Sequence, residues 1–325
     1  MYSEQKSMET KTEPGREREE PFYHTNKTEW LITPDGKPRG YIQPQLLREL
    51  WFHTGTICNL ECSFCLEGSK PGDSRIESLR FSDAKPFIDE ALDFDVQQFC
   101  FTGGEPFVIA DIIKILDYAL QLRPCLVLTN GTDPLQKRMS DILSLQKQKN
   151  QLHFRISLDY PDAEKHDIER GRGNFHKALQ SMALLHEHGF GVSIARRTEC
   201  GENKTQVHQA YQSHFMNTGL PTGLNIIAFP ELFTPGAAVA TPSITENCMT
   251  TYKDKSSRES FMCNYSKMVL KKNGNMAVYP CTLVDDDDYY SLGATLAEAM
   301  KYRVMLKHQR CYACFSEGAS CSEFH

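Results

Sequence analysis

Six short apolar runs, with stretches of helical spacing between them, limit the folds open to this chain more than any other feature. The runs are Leu50 to Thr54, Val96 to Thr102, Cys125 to Thr129, Leu152 to Leu158, Gly191 to Ala195 and Leu224 to Phe229. Between them, apolar residues recur three and four apart: Ile109, Ile112, Ile113, Leu116 and Leu120; Phe175, Ala178, Leu179, Met182 and Leu185; Val207, Ala210, Tyr211 and Phe215. Continuous apolar strands are buried on both faces, and alternation with helices is the pattern of a parallel sheet covered by helices. The expectation is an α/β fold, an open sheet or open barrel, with binding groups at the carboxyl ends of its strands.

With 325 residues, 40% hydrophobic and 24% charged, the chain has room for one large α/β domain and an appendage. A net charge of -6 gives no electrostatic footprint for nucleic acid. The longest apolar stretches fall short of the roughly 18 residues that span a bilayer, and the polar N-terminus lacks a signal-peptide h-region, so no membrane partner and a cytoplasmic location are expected. In that compartment twelve cysteines read as reduced thiols and metal ligands. Residues 1–29, nearly free of aliphatic side chains, read as a disordered polar tail. Residues 30–49, around Pro34-Asp35-Gly36, read as a ribbon packed on the main domain. Residues 50–235 form the core, and residues 236–325 the appendage.

Directly after the first run comes Cys58-Asn59-Leu60-Glu61-Cys62-Ser63-Phe64-Cys65. Three thiols spaced C-x3-C-x2-C can converge on one metal centre and leave a coordination position free. A cubane has four irons and ordinary electron-transfer clusters take four thiolates, so three local cysteines point to one iron kept open for chemistry. Zinc is the alternative occupant, although zinc sites are usually built from C-x2-C pairs.

This loop, with an aromatic before its last cysteine, resembles the signature of the radical SAM superfamily. Gly103-Gly104-Glu105-Pro106 after the second run resembles that family's GGEP motif. Ile156-Ser157-Leu158-Asp159, followed by His166-Asp167 and Arg170-Gly171, is similar to the fourth-strand segment of its peptide- and sugar-modifying branch. The resemblance spans residues 50 to about 230 and implies a partial (β/α)6 barrel. It implies that Cys58, Cys62 and Cys65 ligate a [4Fe-4S] cluster whose fourth iron is chelated by S-adenosylmethionine (SAM). It implies further that Phe64, Gly103, Gly104, Ser157, Asp159 and Arg170 contact SAM: the glycines at the methionyl group, Arg170 at the carboxylate, Phe64 at the adenine. Glu105, in the same motif, is not an obvious ligand and reads as the residue that holds the loop. The activity implied is reductive cleavage of SAM to a 5'-deoxyadenosyl radical that abstracts a substrate hydrogen, with flavodoxin or ferredoxin as reductant.

A second cysteine set follows. Cys263 and Cys281 flank a hairpin turning at Asn273-Gly274, a short helix with Leu296, Met300 and Val304 comes next, and Cys311-Tyr312-Ala313-Cys314 and Cys321 close the chain. This arrangement resembles the twitch and SPASM appendages that hold auxiliary [4Fe-4S] clusters. Five cysteines suit one cluster, on Cys263, Cys281, Cys311 and Cys314, with Cys321 a substitute or spare; a degenerate SPASM domain, zinc and structural thiols are the alternatives. Cys100 and Cys125 read as core residues, Cys200 and Cys248 as loop thiols, Asp285 to Asp288 as a solvated loop, and His186 and His188 as a helix end. The leading substrate expectation is a small biosynthetic metabolite, oxidised with the help of the auxiliary cluster. A peptide or protein maturase is the alternative. Against it, Thr282 stands where sulfatase maturases carry Asp, and the 57 residues before Cys58 leave no room for a winged-helix leader-binding domain. An iron-sulfur or zinc scaffold without catalysis is the third reading.

Overall fold

The computed structural model of the chain describes residues 28–318 and 321–322. The tail expected at residues 1–29 therefore lies outside the described residues except for Thr28 and Glu29, which open a short helix, Thr28–Leu31. Next comes the expected turn: Gly36 N–H donates to Thr33 O at 2.9 Å, and Ile32 bridges Pro38. Tyr41–Ile42 pairs with Val304–Met305.

Eight strands form one sheet: β1 Glu49–His53, β2 Gln98–Thr102, β3 Cys125–Thr129, β4 Leu152–Ser157, β5 Gly191–Arg197, β6 Ile226–Phe229, β7 Ser266–Lys272 and β8 Asn275–Tyr279. Their order is β6-β5-β4-β3-β2-β1-β7-β8. All neighbours are parallel except β7 and β8. The hairpin of the second cysteine set thus continues the barrel's own sheet on the far side of β1. Its turn needs two left-handed residues, and Asn273 (φ 51°) and Gly274 (φ 75°) supply them.

Side-chain alternation divides each strand between two layers. Leu50 and Phe52, Phe99 and Phe101, Cys125 and Val127 join the core shared with the covering helices, which include Ile112–Leu122, Asn174–Glu187 and Lys204–Asn217. Trp51, Cys100 and Leu126 join an inner core with Trp30, Ile42, Met268, Cys263, Cys311 and Cys321. Burying side chains of that kind stabilises by about 1.5–3 kcal/mol each before entropy is counted.

The helix expected from Ile109 begins only at Ile112, because Pro106–Val108 is a 3-10 turn that ends at Ile109. Val304 belongs to a strand rather than to the helix Leu296–Ala299. The acidic run is not a solvated loop at its start: Asp285 is wholly buried, where Arg75 donates to its Oδ2 at 3.3 Å.

Candidate active site

The loop after β1 is pinned from several sides before any metal is considered. Thr54 donates its N–H (2.8 Å) and its hydroxyl (2.9 Å) to Thr102 O, and Cys58 N–H reaches Lys70 O at 3.3 Å. Gly104 N–H donates to Gly55 O at 2.8 Å and Glu105 N–H to Ile57 O at 3.1 Å. The two chains lie so close that a Cβ on Gly104 would stand 2.2 Å from Ile57 O, and one on Gly103 2.7 Å from Gly55 O. Gly103 also has φ of 141°, a region that side chains disfavour. The glycine pair is therefore required first by the cysteine loop itself, a role the motif alone did not disclose.

Glu105 sits behind the cavity, fully buried. Its carboxylate accepts from Phe107 N–H (3.1 Å), Asn130 N–H (2.8 Å) and the Thr129 hydroxyl (2.8 Å). Burial pushes its pKa up to about 7, against the pull of those donors. It ties the loop after β2 to the end of β3. Among the lining residues of the cavity it does not figure.

The cavity itself measures about 510 Å³, within the usual size of a cofactor site. Cys58, Cys62, Cys65, Phe64, Gly103, Gly104, Ser157, Asp159 and Arg170 all line it, so strand ends far apart in sequence converge as the fold rule requires. Arg170 pairs with Asp159 through Nε, and its Nη2 reaches Asp159 Oδ1 at 3.3 Å. The Arg197 guanidinium lies 4.1 Å from the centre of the Phe64 ring and Arg170 5.5 Å. Arg197 and the wall Phe229 to Thr234 were missed from the sequence. Only the position of Arg197 at the carboxyl end of β5 signalled it.

Backbone amides point at two of the three sulfurs: Leu60 N–H to Cys58 Sγ at 3.4 Å and Ser69 N–H to Cys65 Sγ at 3.3 Å. Such bonds stabilise thiolate ligands and tune cluster potentials. Burial pushes Cys58 up to about 12, so at neutral pH its proton leaves only when a metal replaces it. Among the described residues no three cysteine sulfurs lie within 4.8 Å of one another. A single tetrahedral zinc with bonds of about 2.3 Å would need them about 3.8 Å apart. Thiolates on separate irons stand farther apart, so the donor set fits a cubane better than zinc.

The tightest group of possible ligands is instead His53, Glu67 and Asp285, within 4.8 Å of one another. Gly55 N–H donates to His53 Nδ1 at 3.2 Å, which leaves the proton on Nε2, facing Glu67 at 3.0 Å. A metal at Nε2 would require the opposite tautomer. The group is a hydrogen-bonded brace behind the cysteine loop.

Cys263, Cys281, Cys311 and Cys314 line a second, small cavity of about 20 Å³, walled by Phe261, Met262, Val284 and Leu306. Cys263 precedes β7, Cys281 follows β8, and Cys311 and Cys314 share a face of the helix Gln309–Glu317. Two fully buried cations flank the set. Lys267 Nζ donates to Cys263 O (3.2 Å) and Ser266 O (2.8 Å). Arg310 donates only to backbone carbonyls. Among the described residues neither forms an ion pair with a carboxylate, although Arg310 lies near enough to Glu67 and Asp286 to pull both of their pKa values down. Lys267 has only cysteines as charged neighbours and burial pushes its pKa down to about 8, so an anionic metal-thiolate cluster would supply the counter-charge it lacks. Cys321 shares their core and lies close enough to Cys314 to add to the upward push of burial on its pKa. It lines the larger cavity, where the Thr282 hydroxyl donates to its Sγ at 3.3 Å and Arg155 holds its carbonyl at 2.6 Å. Cys100 and Cys125 are core residues, Cys200 is exposed, and Cys248 is half-buried.

Residues 52–211 match the radical SAM superfamily, and the chain belongs to it. The cofactors of that superfamily are a [4Fe-4S] cluster and SAM. Among relatives, the antilisterial bacteriocin subtilosin biosynthesis protein AlbA of Bacillus subtilis is 34% identical over 48% of this chain and 34% of its own length. Mycofactocin maturase MftC of Mycolicibacterium smegmatis is 31% identical over 41% of this chain and 33% of its own. An AdoMet-dependent heme synthase of Methanosarcina barkeri is 30% identical over 42% and 38%. The chain thus matches about a third of the length of these relatives. Streptococcus suis SuiB bound to S-adenosylmethionine superposes with a TM-score of 0.59 at 12% identity, covering 86% of this chain and 69% of that one. The structure of anSMEcpe with bound AdoMet and Cp18Cys peptide gives 0.54 at 16%, covering 78% and 80%. These two show the shared fold. Among the described residues no helix is long and apolar enough to cross a membrane.

Proposed function

We propose that the chain is a radical SAM enzyme that modifies a peptide. The observation that carries this is the 510 Å³ cavity, which brings the cysteine triad and the ends of β2, β4 and β5 to one space. When bound, the cluster supplies one electron that cleaves SAM to methionine and a 5'-deoxyadenosyl radical, the species that takes a substrate hydrogen.

The chain's own residues do the rest. Cys58, Cys62 and Cys65 would hold the cluster. Gly103 and Gly104 keep the loop within reach of β2, Arg170 and Asp159 present charge to the methionyl end, and Phe64 under Arg197 presents a ring face to the adenine. Phe229 to Thr234 wall the remaining space against water. Cys263, Cys281, Cys311 and Cys314 hold an auxiliary cluster, Leu283 stands between the two cavities, and a flavodoxin or ferredoxin supplies electrons.

A peptide is favoured over the small metabolite because the relatives include a bacteriocin biosynthesis protein and a maturase, and the fold neighbours include SuiB bound to precursor peptide SuiA. The heme synthase relatives favour a small molecule as the second reading. The test is anaerobic: reconstitute the protein, add dithionite and SAM, and assay 5'-deoxyadenosine. It should form, faster with a peptide substrate present than without, and a peptide deuterated at the attacked carbon should pass its label into the nucleoside. A protein that holds the first cluster yet forms none would refute the reading.

A further inference from the structure

Arg310 precedes Cys311 on the helix Gln309–Glu317, and only 1% of its surface is exposed. Its guanidinium reaches three segments that are remote in sequence. Nη2 donates to Leu66 O at 2.7 Å, the carbonyl directly after Cys65. Nη2 and Nε donate to Phe233 O at 2.9 and 3.3 Å, on the wall of the larger cavity. Nη1 donates to Leu283 O at 3.3 Å, the residue that separates the two cavities.

We propose that Arg310 is a positioning residue: one planar guanidinium fixes the radical-generating cysteine loop, the substrate wall and the second cysteine site in a single register. Its fork suits this task, since the N–H groups point in fixed directions within one plane, whereas a lysine ammonium offers one compact head. One hydrogen bond joins the residue after Cys65 to the residue before Cys311. A shift of that contact moves one cysteine site against the other. Motion of the wall at Phe233 follows, because the same nitrogen holds it. The cluster reading is needed only for the spectroscopic arm of the test.

R310K and R310M are compared with the wild-type full chain by amide hydrogen exchange without metal. The expected result is exchange at least tenfold faster in residues 55–70, 229–235 and 282–285 together in both variants, with the helices over β2 to β4 unchanged. Faster exchange confined to residues 309–317 would overturn the proposal. If neither variant folds, wild-type exchange in sub-denaturing urea decides. The three segments must open at one common free energy, and separate openings would overturn it. In reconstituted, reduced protein, R310K should keep the wild-type iron content while the inter-cluster spin coupling broadens; unchanged coupling counts against it. Wild-type deoxyadenosine formation tests the cluster reading separately.

Discussion

Cys58, Cys62 and Cys65 sit half-buried on the wall of a large cavity bordered by polar side chains, whereas Cys263 and Cys311, buried, and Cys281 and Cys314, half-buried, line a far smaller apolar one. The first site is shaped by backbone contacts with Gly103 and Gly104, the second by packing of a hairpin, a helix and Leu283. An open site can admit a chelating cofactor and a substrate; a closed one can hold charge and exchange electrons. Changes at the first should therefore fall on activity, and changes at the second on stability.

The largest effect separates the sites outright. A triple alanine variant of Cys58, Cys62 and Cys65 should lose all 5'-deoxyadenosine formation yet retain about four irons per chain, the content of one cubane. Iron analysis returning none would mean that the closed site holds no cluster. Chelation of that remaining iron should lower the melting temperature, since metal binding to a folded site is folding free energy.

Gly104→Ala comes next. The added Cβ meets Ile57 O at 2.2 Å, a backbone atom that cannot swing away. Overpacking of this kind costs about 1–3 kcal/mol, and the displaced loop should weaken SAM binding at least tenfold in calorimetry. The second cysteine set should keep its iron.

Glu105 gives the open site a pH signature. Its pKa stands at about 7 in the fold against an ordinary 4.5, because burial penalises the charge. The unfolded chain ionises first, so the stability present below about pH 4.5 falls as pH rises and is lost by about pH 7. The loss is on the order of 2 kcal/mol. Denaturant midpoints at pH 5 and pH 8 should differ in that direction for the wild type, and E105Q should reduce the slope, leaving the part that Asp285, raised to about 6 by burial, contributes, while lowering stability throughout, having lost an acceptor.

What the sequence disclosed follows the same division. Apolar runs placed six of the sheet's strands to within two residues, because burial on both faces leaves little choice of residue, and the Asn273-Gly274 turn placed the hairpin of the other two. The triad and the glycine pair were legible since their spacing is local. Arg310, Arg197 and the burial of Asp285 were not, because each depends on partners more than 25 residues away. Leu66, Phe233 and Leu283 meet at Arg310 only through the path of the chain, and three carbonyls have no sequence signature. Cys321, read as a substitute or spare for the second set, lines the first cavity and also lies close to Cys314.

Phe64→Ala should have a smaller effect. The ring lies under Arg197 at 4.1 Å, a contact worth about 1 kcal/mol to the ring's placement, and loss of a stacking contact of that size with the adenine would be about fivefold in SAM affinity. A loss above a hundredfold would mean that the ring holds the cofactor by more than stacking.

The smallest effect tests whether membership of a site is what makes a cysteine matter. Cys200 is exposed in the loop between β5 and the helix Lys204–Asn217, away from both cavities. Substitutions at such surface positions stay within about 0.5 kcal/mol. C200S should therefore match the wild type in iron content, deoxyadenosine yield and melting temperature. A fall in iron would give the loop a share in one of the two sites, and the contrast between open and closed cysteines would then be incomplete.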